Sequence, residues 1–352
     1  MRQALGAMVW LAALAPSAAR AHPGSGIVVD QAGRIYFVKP GDNRSFVLSA
    51  VGRVAVLVDD PRLRLPHHLL LDAQGNLYTA SDHDGRVWKI MPDGRLTEHF
   101  DSRAVWQTHR IQVGANGDPW TMDAAGNIYA VAWLRGSRTW SEIVRITPSG
   151  EVTQFTSQRF GSLHFGTMAW GPDSSLHITE FARVWRIRPA GAAAALEIPG
   201  GSLGLATGIA VDSTGAVYVA DYSAGRVLRV ASDGAVAGVP GLERERLHGP
   251  VGLALGRAGE IYVVDHRPRA LWIVRVAGGR AERVYADVNY VALYGPTALL
   301  IGLQLLLIAQ TRARRPRNPL DWGWWTLAVG VLVLVLFFVA AEVPGYAYAR
   351  FA

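Results

Sequence analysis

The sequence predicts an all-β fold, a six-bladed β-propeller followed by two C-terminal transmembrane helices. The first observation is a phrase, GIAVDSTGAVYVADYSAGRVLRVASDG from Gly208, that recurs in variant form at five other places. The second is its period of 41 to 51 residues, which is typical of propeller blades. That period is measured between the aromatic residues of the second apolar run: Tyr36, Tyr78, Tyr129, His177, Tyr218 and Tyr262. The third is a pair of uncharged stretches near the C-terminus.

Each repeat holds four short apolar runs, separated by residues typical of tight turns. In the fifth repeat the predicted strands are Ile209–Asp212, Ala216–Ala220, Arg226–Val230 and Ala235–Val239. Gly215 stands between the first two, where a hairpin turn requires positive φ. One four-stranded blade cannot bury both of its faces, whereas six blades in a closed ring do so and protect their strand edges. We therefore assign residues 22–287 to the propeller.

The two ends of the chain predict an exported, membrane-anchored protein. Residues 1–21 combine an N-terminal Arg2, a short apolar core and an Ala19-Arg20-Ala21 cleavage site, as in a signal peptide; an uncleaved anchor is the alternative. Residues 291–310 and 322–341 are long and apolar enough to cross a bilayer. The arginine-rich residues 311–321 between them predict a cytoplasmic loop. The propeller and the tail, residues 342–352, then lie on the periplasmic or extracellular side of a bacterial cytoplasmic membrane.

Composition excludes several classes of site. The chain has no cysteine, so it has no disulfide and no thiolate metal site. Its net charge of +7 would suit a nucleic-acid partner, but four of the arginines lie in the predicted cytoplasmic loop. We predict no nucleic-acid partner; the predicted partners are the membrane and another envelope protein.

The repeats resemble the NHL-repeat and SMP-30 (gluconolactonase-like) superfamily of six-bladed propellers over roughly residues 26–285. Two segments, IVRITPSGEVTQF and GPDSSLHITE, also resemble streptogramin lyases. The resemblance implies the fold and is weak evidence for activity, since one fold hosts many functions. It also implies that loops before the first strands and after the second strands surround the mouth of a central channel.

Aligning the repeats places a set of polar residues at this mouth. The candidate ligand-binding residues are His67, Asp118, Glu180, Asp221, Asp265 and Lys39. Carboxylates with an imidazole suit a divalent cation such as Ca²⁺, Mg²⁺ or Zn²⁺, so His67, Asp118, Glu180 and Asp221 are the candidate metal ligands. The alternative is that acids at this point accept hydrogen bonds from neighbouring turns.

The catalytic patterns implied by the resemblance are incomplete here. The gluconolactonase-like pattern has a Glu at the start of blade one, where this chain has Ser25, and of its other ligands only Asp118 matches. The streptogramin-lyase pattern pairs a His before the first strand with a Glu ending the second. Blade four has Glu180 with Gly166 in the His position, and blade two has His67 with Ser81.

The incomplete patterns favour a binding or assembly module for another envelope protein or ligand. The alternative is a metal-dependent hydrolase of the lactonase type, or a lyase, with its site at the channel mouth. No catalytic residue is assigned from the sequence.

Overall fold

The computed structural model describes residues 26–288, except 40–43, 50–51, 82–84, 104, 106–110, 112, 115–117, 134–140, 162, 164–165, 197, 199–202 and 268–269. The chain divides into two units, Met1–Asp287 and Val288–Ala352. The predicted signal peptide, both predicted spans, the arginine-rich loop and the tail lie outside the described residues. Within the described part, no helix has the length and apolar character needed to cross a membrane.

Six four-stranded sheets confirm the predicted six-bladed propeller. Blade one contains β1 (Ile27–Val29), β2 (Ile35–Val38), β3 (Arg44–Leu48) and β4 (Val54–Asp59). Blade two contains β5 (Leu70–Leu71), β6 (Leu77–Ala80), β7 (Arg86–Ile90) and β8 (Leu96–Asp101). Blade three contains β9 (Trp120–Met122), β10 (Ile128–Trp133), β11 (Ser141–Ile146) and β12 (Val152–Gln154).

The remaining blades repeat the pattern. Blade four contains β13 (Met168–Trp170), β14 (Leu176–Glu180), β15 (Arg183–Ile187) and β16 (Ala193–Ala195). Blade five contains β17 (Ala206–Val211), β18 (Val217–Asp221), β19 (Arg226–Val230) and β20 (Val236–Gly238). A 3₁₀ turn at Leu242–Arg244 precedes blade six, which contains β21 (Pro250–Leu255), β22 (Ile261–Arg267), β23 (Ala270–Ala277) and β24 (Arg280–Val288).

Every blade uses four consecutive strands, so side-chain packing rather than a shared strand closes the ring. Six hydrophobic clusters lie between successive blades. In the closing cluster, Phe37 and Phe46 of blade one pack with Val264 and Ile273 of blade six. This continuous burial of apolar surface stabilises the ring.

Strand direction gives the propeller two distinct faces. The first strand of each blade pairs antiparallel with the second, and the second with the third. Turns between first and second strands, such as residues 30–34, therefore lie on one side with the turns between third and fourth strands. We call this side the lower face. The second strands end on the other side, the upper face, where the inter-blade loops also run.

Candidate functional site

The candidate acids of the upper face are held in hydrogen bonds within the propeller. Asp265 is fully buried. Its Oδ1 accepts the backbone N–H of His248 at 2.8 Å and of Gly249 at 2.9 Å, and its Oδ2 accepts Arg267 Nε at 2.8 Å. The sequence placed Asp265 at the end of its strand, but β22 runs on to Arg267 because residues 266 and 267 also pair with β23. Asp265 thus joins the loop that enters blade six to the second strand of that blade.

Asp221 has the same role in blade five. It is fully buried. Its Oδ1 accepts the backbone N–H groups of Gly204 at 3.2 Å and Ala224 at 3.3 Å, and its Oδ2 accepts Arg226 Nε at 3.2 Å. The carboxylate therefore connects an inter-blade loop to the turn between β18 and β19.

Blades four and two also have a hydrogen-bond acceptor at the end of the second strand, but it is a glutamate in blade four and a serine in blade two. Glu180 accepts the backbone N–H of Gly161 through Oε1 and the indole N–H of Trp185 through Oε2, the latter at 2.6 Å. In blade two, Ser81 Oγ accepts the indole N–H of Trp88 at 3.0 Å. We call Ser81, Glu180, Asp221 and Asp265, with their donors, the upper hydrogen-bond clusters.

The three other predicted positions, Lys39, His67 and Asp118, differ from those of the upper hydrogen-bond clusters. Lys39 ends blade one's second strand region, and its Nζ lies over the ring of Phe46, 4.4 Å from the centroid. His67 and Asp118 come just before the inner strands of blades two and three, and both are buried. A Cβ at Gly26 would lie 2.5 Å from the His67 carbonyl oxygen, so blade one passes directly against this residue.

The inner strands surround a small cavity, which His68 and Thr167 line together with apolar side chains. Each blade contributes to its lining, through Ile27, Leu70, Trp120, Met168, Ile209 and Leu253. The cavity there measures about 60 Å³. That is room for a few water molecules, whereas ligand pockets in proteins measure about 300–1,000 Å³.

The structure does not assemble the predicted cation ligands into one group. Among the described residues, no three His, Asp or Glu side chains lie together as a metal site. Glu180 and Asp221 direct their oxygens to protein N–H groups instead. The alternative role for these two acids, as acceptors for neighbouring turns, is the one their geometry displays.

A second set of acids, on the lower face, organises the turns between first and second strands. Each accepts backbone N–H groups two and four residues later and a tyrosine hydroxyl six residues later; the members are Asp30, Asp72, Asp123 and Asp212. We call these the lower hydrogen-bond clusters. In blade three, Tyr129 donates to Asp123 at 3.1 Å. Burial and the Asp123 charge raise the pKa of Tyr129 to about 12.

The pKa of the lower carboxylates is shifted in the opposite direction. Burial by itself would raise the pKa of Asp123, but hydrogen bonds from Asn127 and Tyr129 outweigh it and hold that pKa below its ordinary value. In blade four a glycine, Gly171, stands in the aspartate position. A Cβ there would lie 2.9 Å from Asp173 Oδ1, so a carboxylate from two residues later occupies the space.

Sequence reasoning did not single out Phe181, which follows Glu180 on the upper face. Its φ is +45°, a region that favours glycine, and its side chain is 48% exposed. The signal in the sequence was the two-residue interval, Phe181-Ala182, between β14 and β15, which requires an unusual turn.

Comparison with models of known protein families gives no match, and comparison with curated proteins gives none either. Solved structures do match. A putative gluconolactonase aligns at 15% identity over 73% of this chain and 89% of its own, with a TM-score of 0.52. The chain has this six-bladed fold. The predicted superfamily resemblance is therefore confirmed for the fold.

Two further structures agree. The calcium-binding protein regucalcin from Agrobacterium tumefaciens aligns at 20% identity over 70% of this chain and 83% of its own, with a TM-score of 0.50. A streptogramin B lyase aligns at 17% identity over 75% of this chain and 84% of its own, also with a TM-score of 0.50. At such identities the likeness extends to architecture alone.

Proposed function

We propose that this chain is an extracytoplasmic propeller, anchored in a bacterial cytoplasmic membrane by residues 291–310 and 322–341, that binds another envelope protein. The observation that carries the proposal is the use of the upper-face acids. Asp221 and Asp265 are fully buried and accept N–H groups from their own blades. Acids engaged in this way stabilise loops, and loops held on a rigid scaffold are suited to binding.

The small cavity supports the same proposal. A cavity of about 60 Å³ lined by Ile27, Trp120 and Met168 has no room for a substrate of sugar size. We therefore place recognition on the outer surface of the loops. The sequence between β10 and β11 includes Arg135 and Trp140, residue types that often anchor interfaces, although residues 134–140 lie outside the described residues.

The test is affinity purification of the full chain from gently solubilised membranes, with quantitative mass spectrometry. We expect one envelope protein to co-purify at stoichiometric yield, and an Arg135→Ala, Trp140→Ala double variant to retain much less of it. A Ser232→Ala variant, altered in an exposed lower-face turn, is the matched control and keeps the partner. Recovery of the chain alone from membranes that retain it overturns the proposal.

A second candidate function is that of a metal-dependent lactonase or lyase. The observation in its favour is the burial of His67 and Asp118 at the starts of neighbouring inner strands, in a fold that a putative gluconolactonase shares. A lactone and lyase screen with added Ca²⁺, Mn²⁺ or Zn²⁺ tests it. Turnover that is lost in Asp118→Ala but kept in Asp101→Ala would establish the enzyme.

A further inference from the structure

Phe181 adopts a backbone conformation that is costly for an aromatic residue, and yet it remains 48% exposed. The turn itself is fixed, because the Phe181 carbonyl accepts the N–H of Ala206 in the next blade at 2.7 Å. Glycine would fit this φ without strain. Among the described residues, Phe181 is the most exposed of the large hydrophobic side chains. The turn requires the positive φ but not an aromatic side chain, so the cost of phenylalanine here points to a function for the side chain.

The chain leaves the propeller on the same face. Gly278 and Gly279 join β23 to β24 on the lower side, and Arg275 of β23 contacts Glu282 of β24 at 2.9 Å, as the hairpin requires. β24 therefore ends at Val288 on the upper face. The uncharged residues 291–310 follow after two residues, and the step from residue 288 to residue 291 spans at most about 11 Å when extended. If that stretch crosses the bilayer, the upper end of blade six lies close to the lipid surface.

The exposed charges of the upper face suit an anionic surface. In its described loops and turns the exposed acids are Asp59 and Glu243. The exposed arginines are Arg62, Arg64, Arg103, Arg159, Arg183, Arg226, Arg244 and Arg246. Three of them, Arg62, Arg103 and Arg226, form ion pairs with Asp60, Asp101 and Asp221, and the other five form no ion pair among the described residues. The described lower-face turns are more balanced, with the exposed arginines Arg34, Arg53, Arg95, Arg188, Arg257 and Arg280 beside the exposed acids Asp93, Glu151, Asp173 and Asp233. Anionic phospholipid attracts arginine within a Debye length of the surface.

From these three observations we infer that the upper face of the propeller lies against the surface of the membrane, with Phe181 inserted among anionic phospholipid headgroups. The inference rests on the proposed membrane anchoring. Aromatic side chains are favoured at this depth because one end of the interface is apolar and the other is wet. The inserted ring buries apolar surface that the fold alone leaves in water.

The test uses the absence of cysteine from the chain. Phe181→Cys and Ser232→Cys variants of the full chain are labelled with an environment-sensitive fluorophore. Each is reconstituted into vesicles of phosphatidylcholine and phosphatidylglycerol that contain brominated lipid as a quencher. Ser232 is the matched control because it is exposed in a lower-face turn. We expect the probe at position 181 to be quenched several-fold more than the probe at position 232, and less so when phosphatidylglycerol is omitted.

Equal and weak quenching at both positions overturns the inference. If the protein then still resists carbonate extraction, the anchoring stands and only the orientation is wrong; if it is extracted, the anchoring itself fails. Cross-linking of two copies through position 181, without lipid quenching, assigns the face to a second copy and also overturns the inference. In Phe181→Gly, we expect the detergent-solubilised chain to melt a few degrees higher, since the strain is relieved.

Discussion

The upper and lower hydrogen-bond clusters both hold turns or loops in place. The lower clusters are built alike in four blades, whereas the upper clusters differ from blade to blade. In the lower clusters an aspartate binds N–H groups two and four residues later, and a tyrosine six residues later, in four blades. In the upper clusters the acceptor is Ser81, Glu180, Asp221 or Asp265, and each accepts a backbone N–H from 16 to 19 residues earlier. Asp221 also accepts the N–H of Ala224, three residues later. The geometry of the lower turn favours an aspartate at its first position. A loop of the upper face can be held by any side-chain acceptor that is long enough to contact its N–H groups.

This comparison explains why the upper acids resemble a catalytic set. Acids spaced evenly around a channel mouth look like converging ligands when only sequence positions are compared. In the structure, each of Glu180, Asp221 and Asp265 is directed back into its own blade. Variants that remove the acceptor of one cluster at a time therefore measure how much each acid contributes to the free energy of unfolding.

The largest expected effect is that of Asp265→Ala. The substitution leaves the buried N–H groups of His248 and Gly249 without their acceptor and removes the partner of Arg267. We expect a loss of about 3 kcal/mol in the free energy of unfolding, measured by urea titration of the solubilised chain. Asp212→Ala in the lower cluster is the control and should lose about 1 kcal/mol, because its turn is partly exposed. Equal losses would remove the distinction between the two faces.

Glu180→Gln should have an intermediate effect. The amide retains one acceptor oxygen, but its NH₂ group then opposes either the Gly161 N–H or the Trp185 indole N–H. We expect a loss of about 1–2 kcal/mol, accompanied by a shift in tryptophan emission. Unchanged stability together with lost catalytic turnover would instead assign Glu180 to an active site.

Tyr129→Phe should lose about 1 kcal/mol, since only the hydroxyl bond to Asp123 is removed. Tyr262→Phe is the comparison variant, because blade six has Gly256 in the aspartate position and the Tyr262 hydroxyl accepts a hydrogen bond from Arg275, which keeps Glu260 and Glu282 as partners. We expect this variant to lose less in the same urea titration. A reversed order would mean that the tyrosine hydroxyl does not stabilise the lower clusters.

The smallest expected effect is a loss of stability at low pH. Hydrogen bonds to Asp123 lower its pKa in the folded state, so the stabilisation is fully present above the ordinary carboxyl pKa and is lost as pH falls through the folded-state pKa. The urea midpoint should therefore decrease between pH 5 and about pH 3. Asp123→Asn should show a shallower decrease over that interval, and a slope identical to that of the unsubstituted chain would contradict the assignment.

The fold could be predicted because its signal is local and repeated. Glycines such as Gly215 mark the hairpins, and the period of the tyrosines gives the number of blades. The sequence left two roles open for Asp221 and Asp265, a cation or the N–H groups of neighbouring turns, because it does not show that the loops 16 or 17 residues earlier lie beside them. Phe181 was missed for a related reason: positive φ at a residue other than glycine or asparagine has no compositional signal. Whether residues 291–310 and 322–341 cross a membrane remains a prediction from their hydropathy.

The most direct test of the central claim, that the upper acids hold loops rather than a cation, is the melting temperature of the purified chain with and without divalent ions. A ligand that binds only the folded state raises that temperature, and the increase grows with the logarithm of the ratio of its concentration to Kd. We predict the same melting temperature in EDTA and in excess Ca²⁺, Mg²⁺ or Zn²⁺. A concentration-dependent increase that disappears in Glu180→Gln or Asp221→Asn would contradict the claim.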